Sequence, residues 1–234
     1  MIKPISFHIE KEAKNIPADA DAVRVCSIEG TEALIVRHDD GSKTLEVPFG
    51  KSKDDITRRS LVVLVRKVVQ LAKTHGIAKL LIPLSEFSFR RVRLAERELA
   101  ELVALQCELS NFEFVKYKTP PPEGWKVVTD VLVQGRSPRD IKRGVERGQA
   151  IASEVNACRA LANTPGGDMT PRLLAEEARK AAADLPVDVT VLDKNKLEQL
   201  GMGGVLGVSR GSAEEPQFII MKYSGGKRDR KSVV

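Results

Sequence analysis

Two glycine-containing segments have residue types that bind phosphate in other proteins. Gly50, Lys51 and Ser52 lie between a predicted strand and a predicted helix, the place where a phosphate-binding loop occurs. That loop also requires a glycine five residues before Gly50, and the residue there is Leu45. We therefore interpret this segment as a strand-to-helix turn with a solvated lysine.

The second segment, Gly201–Gly207, contains glycines in a pattern similar to a dinucleotide-binding fingerprint. Its last glycine comes one position too late. The segment also follows a predicted helix and precedes a predicted strand, whereas the fingerprint needs a strand first and a helix second. A turn with close backbone packing is the preferred interpretation.

Side chains that could bind a metal or act as acids and bases are scattered. His8, His38 and His75 are isolated, and none has a second histidine or a cysteine at the spacing of metal ligands on a helix. The acidic residues of the last third are interpreted as helix surface, strand face and helix cap: Glu176, Glu177, Asp188 and Asp193. The residues themselves therefore predict no catalytic residue, no cofactor-binding residue and no metal ligand.

Composition sets broad limits on function. The 234 residues are 42% hydrophobic and 30% charged, as in ordinary globular proteins, and the formal charge of +6 permits an anionic partner without requiring one. The basic run Lys227–Lys231 is interpreted as a solvated hairpin tip, with phosphate contact as the alternative.

Three cysteines and the N-terminal residues indicate the compartment. Cys26, Cys107 and Cys158 are far apart and odd in number, so we predict reduced, buried thiols and a cytoplasmic protein. The first 15 residues contain no apolar core of a signal peptide, and no run is long enough to span a membrane.

The first 135 residues alternate strands with amphipathic helices. We predict strands at 5–9, 22–28, 33–38, 44–48, 78–84 and 126–133, helices at 56–75 and 89–109, and an edge strand or loop at 112–117. Asp54 and Asp55 are predicted to cap the first helix and Gly76 to end it. This alternation predicts an α/β fold with a mixed or parallel sheet and helices on both sides.

The segment from Asn163 to Pro171 stops one helix and starts another. Upstream, an apolar face that includes Ile141, Val145 and Ala152 predicts a long helix, which Pro165 must end. Gly166 and Gly167 permit backbone angles that other residues resist, and a substitution of Gly166 by valine is expected to be costly if its φ is positive. Thr170 is predicted as an N-cap, with Pro171 at the first helical position.

Helices and strands also alternate after residue 171. We predict a helix at 171–185, a strand at 187–192, a short helix capped by Asp193, a turn at 201–204 and strands at 205–209 and 217–223. Residues 225–231 are a predicted turn, and Ser232–Val234 is expected to begin a further strand.

From Ala157 onward the sequence resembles the leucyl aminopeptidase family of cytosolic metallo-exopeptidases. The matching residues keep the family's order and spacing: 157–166, 170–171, 191–194, 197, 201–203, 208, 211–212 and 215–216. Gly167 departs from the pattern, since the family usually has asparagine there. The first half matches the family's N-terminal domain, which resembles a macro domain, more loosely.

This resemblance implies a three-layer α/β/α macro-like domain at 1–135, a linker helix at 136–164 and the first part of the catalytic domain at 165–234. It implies an aminopeptidase that uses two divalent metal ions (Mn or Zn), acts on peptides and assembles as a hexamer. The family's metal ligands and catalytic residues follow a strand that matches Ser232–Val234. We therefore expect the chain to stop before them, to bind no metal and to be inactive alone.

Two other interpretations remain open. The chain could be a stand-alone macro-like binding module for a nucleotide or a protein partner. It could also bind nucleic acid through its basic N-terminal domain, which predicts binding that weakens as salt rises.

Overall fold

The structure is a computed structural model that describes residues 2–11, 23–30, 32–39, 41, 43–50 and 52–223. The chain divides into two compact units, Met1–Cys158 and Arg159–Val234. The predicted turn at 225–231, its basic run and the predicted strand at 232–234 lie outside the described residues.

The first unit is built on a six-stranded sheet. Its strands are β1 (Ser6–Lys11), β2 (Val23–Ile28), β3 (Leu34–Arg37), β4 (Lys43–Pro48), β5 (Lys79–Pro83) and β6 (Asp130–Gly135). The spatial order is β1-β6-β5-β2-β4-β3, and every neighbouring pair is parallel except β3 with β4. The helices are α1 (Arg58–Thr74), α2 (Glu96–Asn111) and α3 (Pro138–Asn163). The predicted α/β class with a mostly parallel sheet is confirmed.

One apolar core joins this sheet to the helices. Alternate residues of β2, among them Val23 and Val25, are buried and belong to the same cluster as the apolar stripe of α1 and the buried face of α2. Strand β5 is apolar after its first residue, which suits a central strand. The few aromatic residues leave Val, Leu, Ile and Ala to fill the core, as the composition predicts.

The ends of α1 partly follow the prediction. Gly76 has a φ of 66° just beyond the helix, in the left-handed region that glycine adopts easily. The predicted caps Asp54 and Asp55 are wrong, because these residues lie in a 3₁₀ turn, Lys53–Asp55, that Ser52 caps. Thr57 caps α1 by accepting a hydrogen bond from the Ser60 N–H at 3.2 Å.

Helix α2 begins seven residues after the predicted start at Phe89. Phe89 is buried and packs edge-on against Phe49 with ring centroids 5.6 Å apart, while Val92 and Leu94 pack on the core from an irregular segment. Apolar residues of a loop thus imitate a helical period. The Glu98 carboxylate then accepts a hydrogen bond from the Ala95 N–H at 2.8 Å, which satisfies a donor at the true N-terminus. Residues 112–117 form a loop.

In the described part of the second unit, the end of α3 is followed by three helices and a two-stranded sheet. They are α4 (Pro171–Ala182), β7 (Val187–Leu192), α5 (Lys194–Gln199), α6 (Gly203–Ser209) and β8 (Phe218–Tyr223). Strands β7 and β8 are antiparallel, with Val187 opposite Tyr223. The predicted strand at 205–209 is wrong because the segment is helical, with the Leu206 N–H donating to the Met202 carbonyl at 3.2 Å. A short apolar run fits either structure.

The cysteines are all free, but they are not all buried as predicted. Cys107 is buried, Cys26 is half-buried and Cys158 is exposed, because it lies on a face of α3 that does not pack on the core. Burial raises the pKa of the Cys107 thiol far above its usual range. In the described part of the chain, no helix is both long and apolar enough to cross a membrane.

A nearly buried carboxylate connects β1, α2 and α3. Glu108 Oε1 accepts hydrogen bonds from the Ile5 N–H at 3.0 Å and from Gln149 Nε2 at 3.1 Å. Burial raises the pKa of Glu108, although both hydrogen bonds oppose this shift. The folded state therefore binds the proton more tightly than the unfolded state, and Glu108 favours folding at low pH and opposes it as the pH rises through the folded pKa.

We expect Glu108→Gln to unfold at a higher urea concentration than the wild type at pH 8, because glutamine keeps an acceptor for both donors without a buried charge. The difference should shrink towards zero below the usual glutamate pKa of about 4.3. Urea unfolding at several pH values measures this. Glu123→Gln, which neutralises an exposed glutamate, is the control and should show no such dependence. A stability gain from Glu108→Gln that is independent of pH would contradict the assignment.

Candidate functional site

The carboxyl ends of β2 and β5 form the place where an open parallel sheet usually binds a ligand. The chain goes from β2 outward to β3 and β4, and then returns through α1 to β5 on the other side of β2. Such a reversal leaves a crevice at the carboxyl ends of the two strands.

The protein's own Glu86 occupies this crevice. Its carboxylate accepts a hydrogen bond from the Ser27 N–H at 3.3 Å, and its main-chain carbonyl accepts one from Ser27 Oγ at 2.5 Å. After burial, the Glu86 charge is the largest cause of the raised pKa of Cys26. A negative charge already bonded to the strand end disfavours phosphate at this place. Sequence reasoning missed the Glu86–Ser27 pair, although Glu86 lies three residues after the end of the buried strand β5.

Neither glycine-containing segment forms a phosphate-binding loop. Gly50, with a φ of 113°, accepts a hydrogen bond from the Gly30 N–H at 2.9 Å, and a 3₁₀ turn follows rather than a long helix. Lys51 lies outside the described residues. In the second segment, Gly201 has a φ of 65° and follows α5, so the required preceding strand is missing even though α6 comes after it.

The three histidines contact different parts of the structure. His8 Nε2 lies 3.3 Å from Asp130 Oδ1, and His38 Nε2 lies 2.8 Å from Thr44 Oγ1. His75 caps the end of α1 through its main-chain N–H. Glu176 and Glu177 pair with Arg172 and Lys180 on the surface of α4. No three His, Cys, Asp or Glu side chains within the described ranges converge on a possible metal position. These residues therefore do not fit a metal centre.

The segment from Asn163 to Pro171 forms a compact turn. The Pro165 carbonyl accepts hydrogen bonds from the Asp168 N–H at 2.8 Å and from the Met169 N–H at 2.9 Å. Thr170 then caps α4 through the Leu173 N–H at 3.4 Å, with Pro171 in the first turn, as predicted. Neither Gly166 nor Gly167 has a positive φ, so the conformational freedom of glycine is not used in this way here. The hydrogen bonds to the Pro165 carbonyl close the turn.

A second predicted cap is also confirmed. Asp193 Oδ1 accepts a hydrogen bond from the Lys196 N–H at 2.9 Å and so begins α5 directly after β7. Gly201 ends that helix in the left-handed conformation. The residues that we singled out in this half therefore shape turns and helix ends; they supply no reacting group.

Comparison with known proteins shows which family this chain is similar to. The model of the "cytosol aminopeptidase family, catalytic domain" matches residues 156–234. A "probable cytosol aminopeptidase" of Bacillus subtilis (strain 168) is 35% identical over 131 residues, which are 56% of this chain and 26% of the relative. Another from Methylobacillus flagellatus is 30% identical over 195 residues, which are 82% of this chain and 39% of the relative. The chain is therefore similar to part of the cytosol aminopeptidases, and its residues 156–234 match the catalytic domain of that family.

Two solved structures have folds similar to that of this chain. A mutant of tomato leucine aminopeptidase matches 99% of this chain and 53% of its own, with a TM-score of 0.79 and 18% identity. The bottromycin maturation enzyme BotP in complex with Mn matches 88% of this chain and 46% of its own, with a TM-score of 0.70 and 23% identity.

The matches span only part of each relative. They cover 26% and 39% of the two curated aminopeptidases described above and 50% of one from Alkaliphilus oremlandii, which is 27% identical. The similarity to this family is therefore established for the matched region. The activity of the longer relatives is not established for this chain.

Proposed function

We propose that this chain supplies the N-terminal domain and the beginning of the catalytic domain of a cytoplasmic aminopeptidase that removes N-terminal residues from peptides. The observation that carries this proposal is the match of residues 156–234 to the family's catalytic domain. We place the domain boundaries at 1–135 for a macro-like domain, 136–164 for the linker helix and 165–234 for the catalytic part.

Within this proposal the described residues position the chemistry but do not perform it. Thr170 and Asp193 cap helices of the catalytic part, and the turn at Pro165 directly precedes the first of these helices. The complete enzyme would use two divalent cations (Mn or Zn) and assemble as a hexamer. BotP has been solved with Mn. We assign none of the metal ligands to the described residues, because no suitable cluster is found among them.

A chimera tests the proposal. In the Methylobacillus flagellatus relative, the region matched by this chain is replaced by the corresponding residues of this chain, and release of leucine from a leucyl peptide is measured with added Mn²⁺. We expect a rate within about tenfold of the parent, a difference of roughly 1.4 kcal/mol in activation free energy. A folded chimera without activity, beside an active parent, would overturn the proposal.

Two controls accompany the chimera. A second chimera with Pro165→Gly and Thr170→Ala should fold but work more slowly, since it loses a rigid turn residue and a helix cap. The 234-residue chain alone should release no leucine with Mn²⁺ or Zn²⁺. Leucine release by the chain alone would contradict the placement of the metal ligands elsewhere.

The alternative of a stand-alone binding module gains no support. None of the relatives described above is named as one, and Glu86 already occupies the crevice that a nucleotide would use. The aminopeptidase proposal is therefore the one that we retain.

A further inference from the structure

A cavity of about 400 Å³ opens at the amino ends of the strands, on the opposite edge of the sheet from Glu86. Four of the residues that line it are basic: Arg37, Lys43, His75 and Lys79. Its apolar walls include Ile35 and Ile77, and none of the described residues that line it is acidic. The volume lies within the usual range for a small-molecule site, about 300–1,000 Å³.

The fold brings these basic residues together from distant parts of the sequence. Arg37 is the last residue of β3, and Lys43, the first residue of β4, is its register partner across the antiparallel pair. Lys79 begins β5, and His75 ends α1. Sequence spacing alone could not have indicated this cluster, because α1 separates its two halves.

Two of these charges have no partner of their own. Arg37 and Lys43 form no ion pair with any other described residue. Lys79 is different: after the hydrogen bond from Thr129, which is the main cause, its charge contributes to the lowered pKa of Asp130, which lies opposite it in the register with β6. Among the described residues, the cavity therefore has two positive charges without an ion-pair partner beside a third.

The end of α1 explains only part of this charge. The last turn of a helix carries about half a negative elementary charge and attracts cations. The carbonyls there already accept main-chain hydrogen bonds from His75, Gly76 and Ile77. One basic side chain would balance the helix end, but Arg37 and Lys43 together exceed it.

We propose that this cavity binds a small phosphate-bearing anion with two or more negative charges. Arg37 supplies a planar fork of donors for phosphate oxygens, and Lys43 and Lys79 act as point charges. Among the described residues that line the cavity, His75 has the only aromatic ring, and no Phe, Tyr or Trp is present to stack on a nucleobase. Recognition therefore rests on the phosphates, and the site is separate from the aminopeptidase function proposed above.

Calorimetric titration of the full chain with inorganic pyrophosphate, at constant ionic strength, tests the proposal. ADP tests whether a nucleoside adds to the binding. We expect saturable binding of both at similar affinity. Absence of pyrophosphate binding, or ADP binding more than about tenfold tighter, would overturn phosphate as the recognised group.

Two double variants locate the site. Arg37→Gln with Lys43→Gln should weaken pyrophosphate binding about tenfold or more, because it removes two charge-assisted contacts. Arg58→Gln with Arg59→Gln removes the same charge from the opposite end of α1, where both side chains are exposed, and should change affinity less than about twofold. Equal losses would indicate unspecific attraction and overturn the proposal.

Amide NMR of the wild type gives a result that does not depend on how the variants fold. Pyrophosphate should shift the signals of Gly76 and Ala78, which line the cavity, more than those of Gly30 and Gly50 at the opposite edge of the sheet. Shifts confined to the opposite edge would overturn the assignment.

Discussion

Gly144→Ala should lower the free energy of unfolding of the first unit by about 2–3 kcal/mol. The new Cβ would lie 3.0 Å from the Ala100 Cβ and from the Glu101 N, and closer still to the Arg97 carbonyl oxygen. Two of these three atoms belong to the α2 backbone, so no side chain can simply rotate away. In most helices the same substitution stabilises by up to about 1 kcal/mol, because alanine has the higher helix propensity. The sign of the effect therefore reports the close approach of α2 and α3.

Urea unfolding followed by the fluorescence of Trp125, the only tryptophan, measures the first unit specifically. Gly207→Ala is the matched control, because Gly207 is also helical but a Cβ there meets nothing within 4 Å. Circular dichroism should show this control to be as stable as the wild type or slightly more so. A Gly144→Ala protein as stable as the wild type would contradict the close packing.

The sequence predicted elements well where one face had to be buried. Ile141, Val145 and Ala152 recur at helical spacing because α3 buries a single stripe, and all three are buried in the structure. Gly148 also belongs to that stripe, but a glycine is needed there for a different reason: the Cβ of any other residue would approach the Glu101 carbonyl oxygen to 2.5 Å. Periodicity reveals such a face, but it does not reveal which partner requires a glycine.

The secondary-structure prediction failed for one short segment that is not buried and for one loop that is packed on the core. The run Val205–Ser209 has too few residues to distinguish a strand from a short helix, and none of α6 is buried. At Phe89 the failure had the opposite cause, since a deeply packed loop showed a helix-like pattern. In both cases the deciding contacts are tertiary.

The candidate sites divide in the same way. Caps such as Thr170 and Asp193 depend on neighbours three residues away, so sequence alone predicted them. The Glu86–Ser27 pair joins residues that are 59 positions apart. In the cavity, Arg37 and Lys43 are close in sequence, but Lys79 lies beyond α1. Only the sheet order brings them together. Family resemblance, in turn, supplied the aminopeptidase assignment that no cluster of side chains could.

Asn111, at the end of α2, illustrates a long-range contact with a large expected effect. Its side chain is 2% exposed, donates from Nδ2 to the Val128 carbonyl at 2.8 Å and accepts from the Val128 N–H at 2.9 Å. The side-chain amide thus pairs with Val128 as a neighbouring strand would, just before β6 begins. These two bonds close the irregular segment between α2 and β6.

Asn111→Asp should lower the stability of the first unit by about 2–4 kcal/mol at pH 7, because a carboxylate cannot donate to the Val128 carbonyl and its charge is buried. Burial beside that carbonyl would raise the folded pKa of the new carboxyl group above its unfolded value. Stability should therefore recover as the pH falls through the folded pKa, when the protonated group can donate again. Trp125 fluorescence during urea unfolding at pH 7 and pH 4 measures the recovery.

Asn195→Asp, an exposed change of the same charge, should shift stability by less than about 0.5 kcal/mol at either pH. A loss at Asn111 that is equal at both pH values would show that the shape of the side chain, and not its donor, holds Val128.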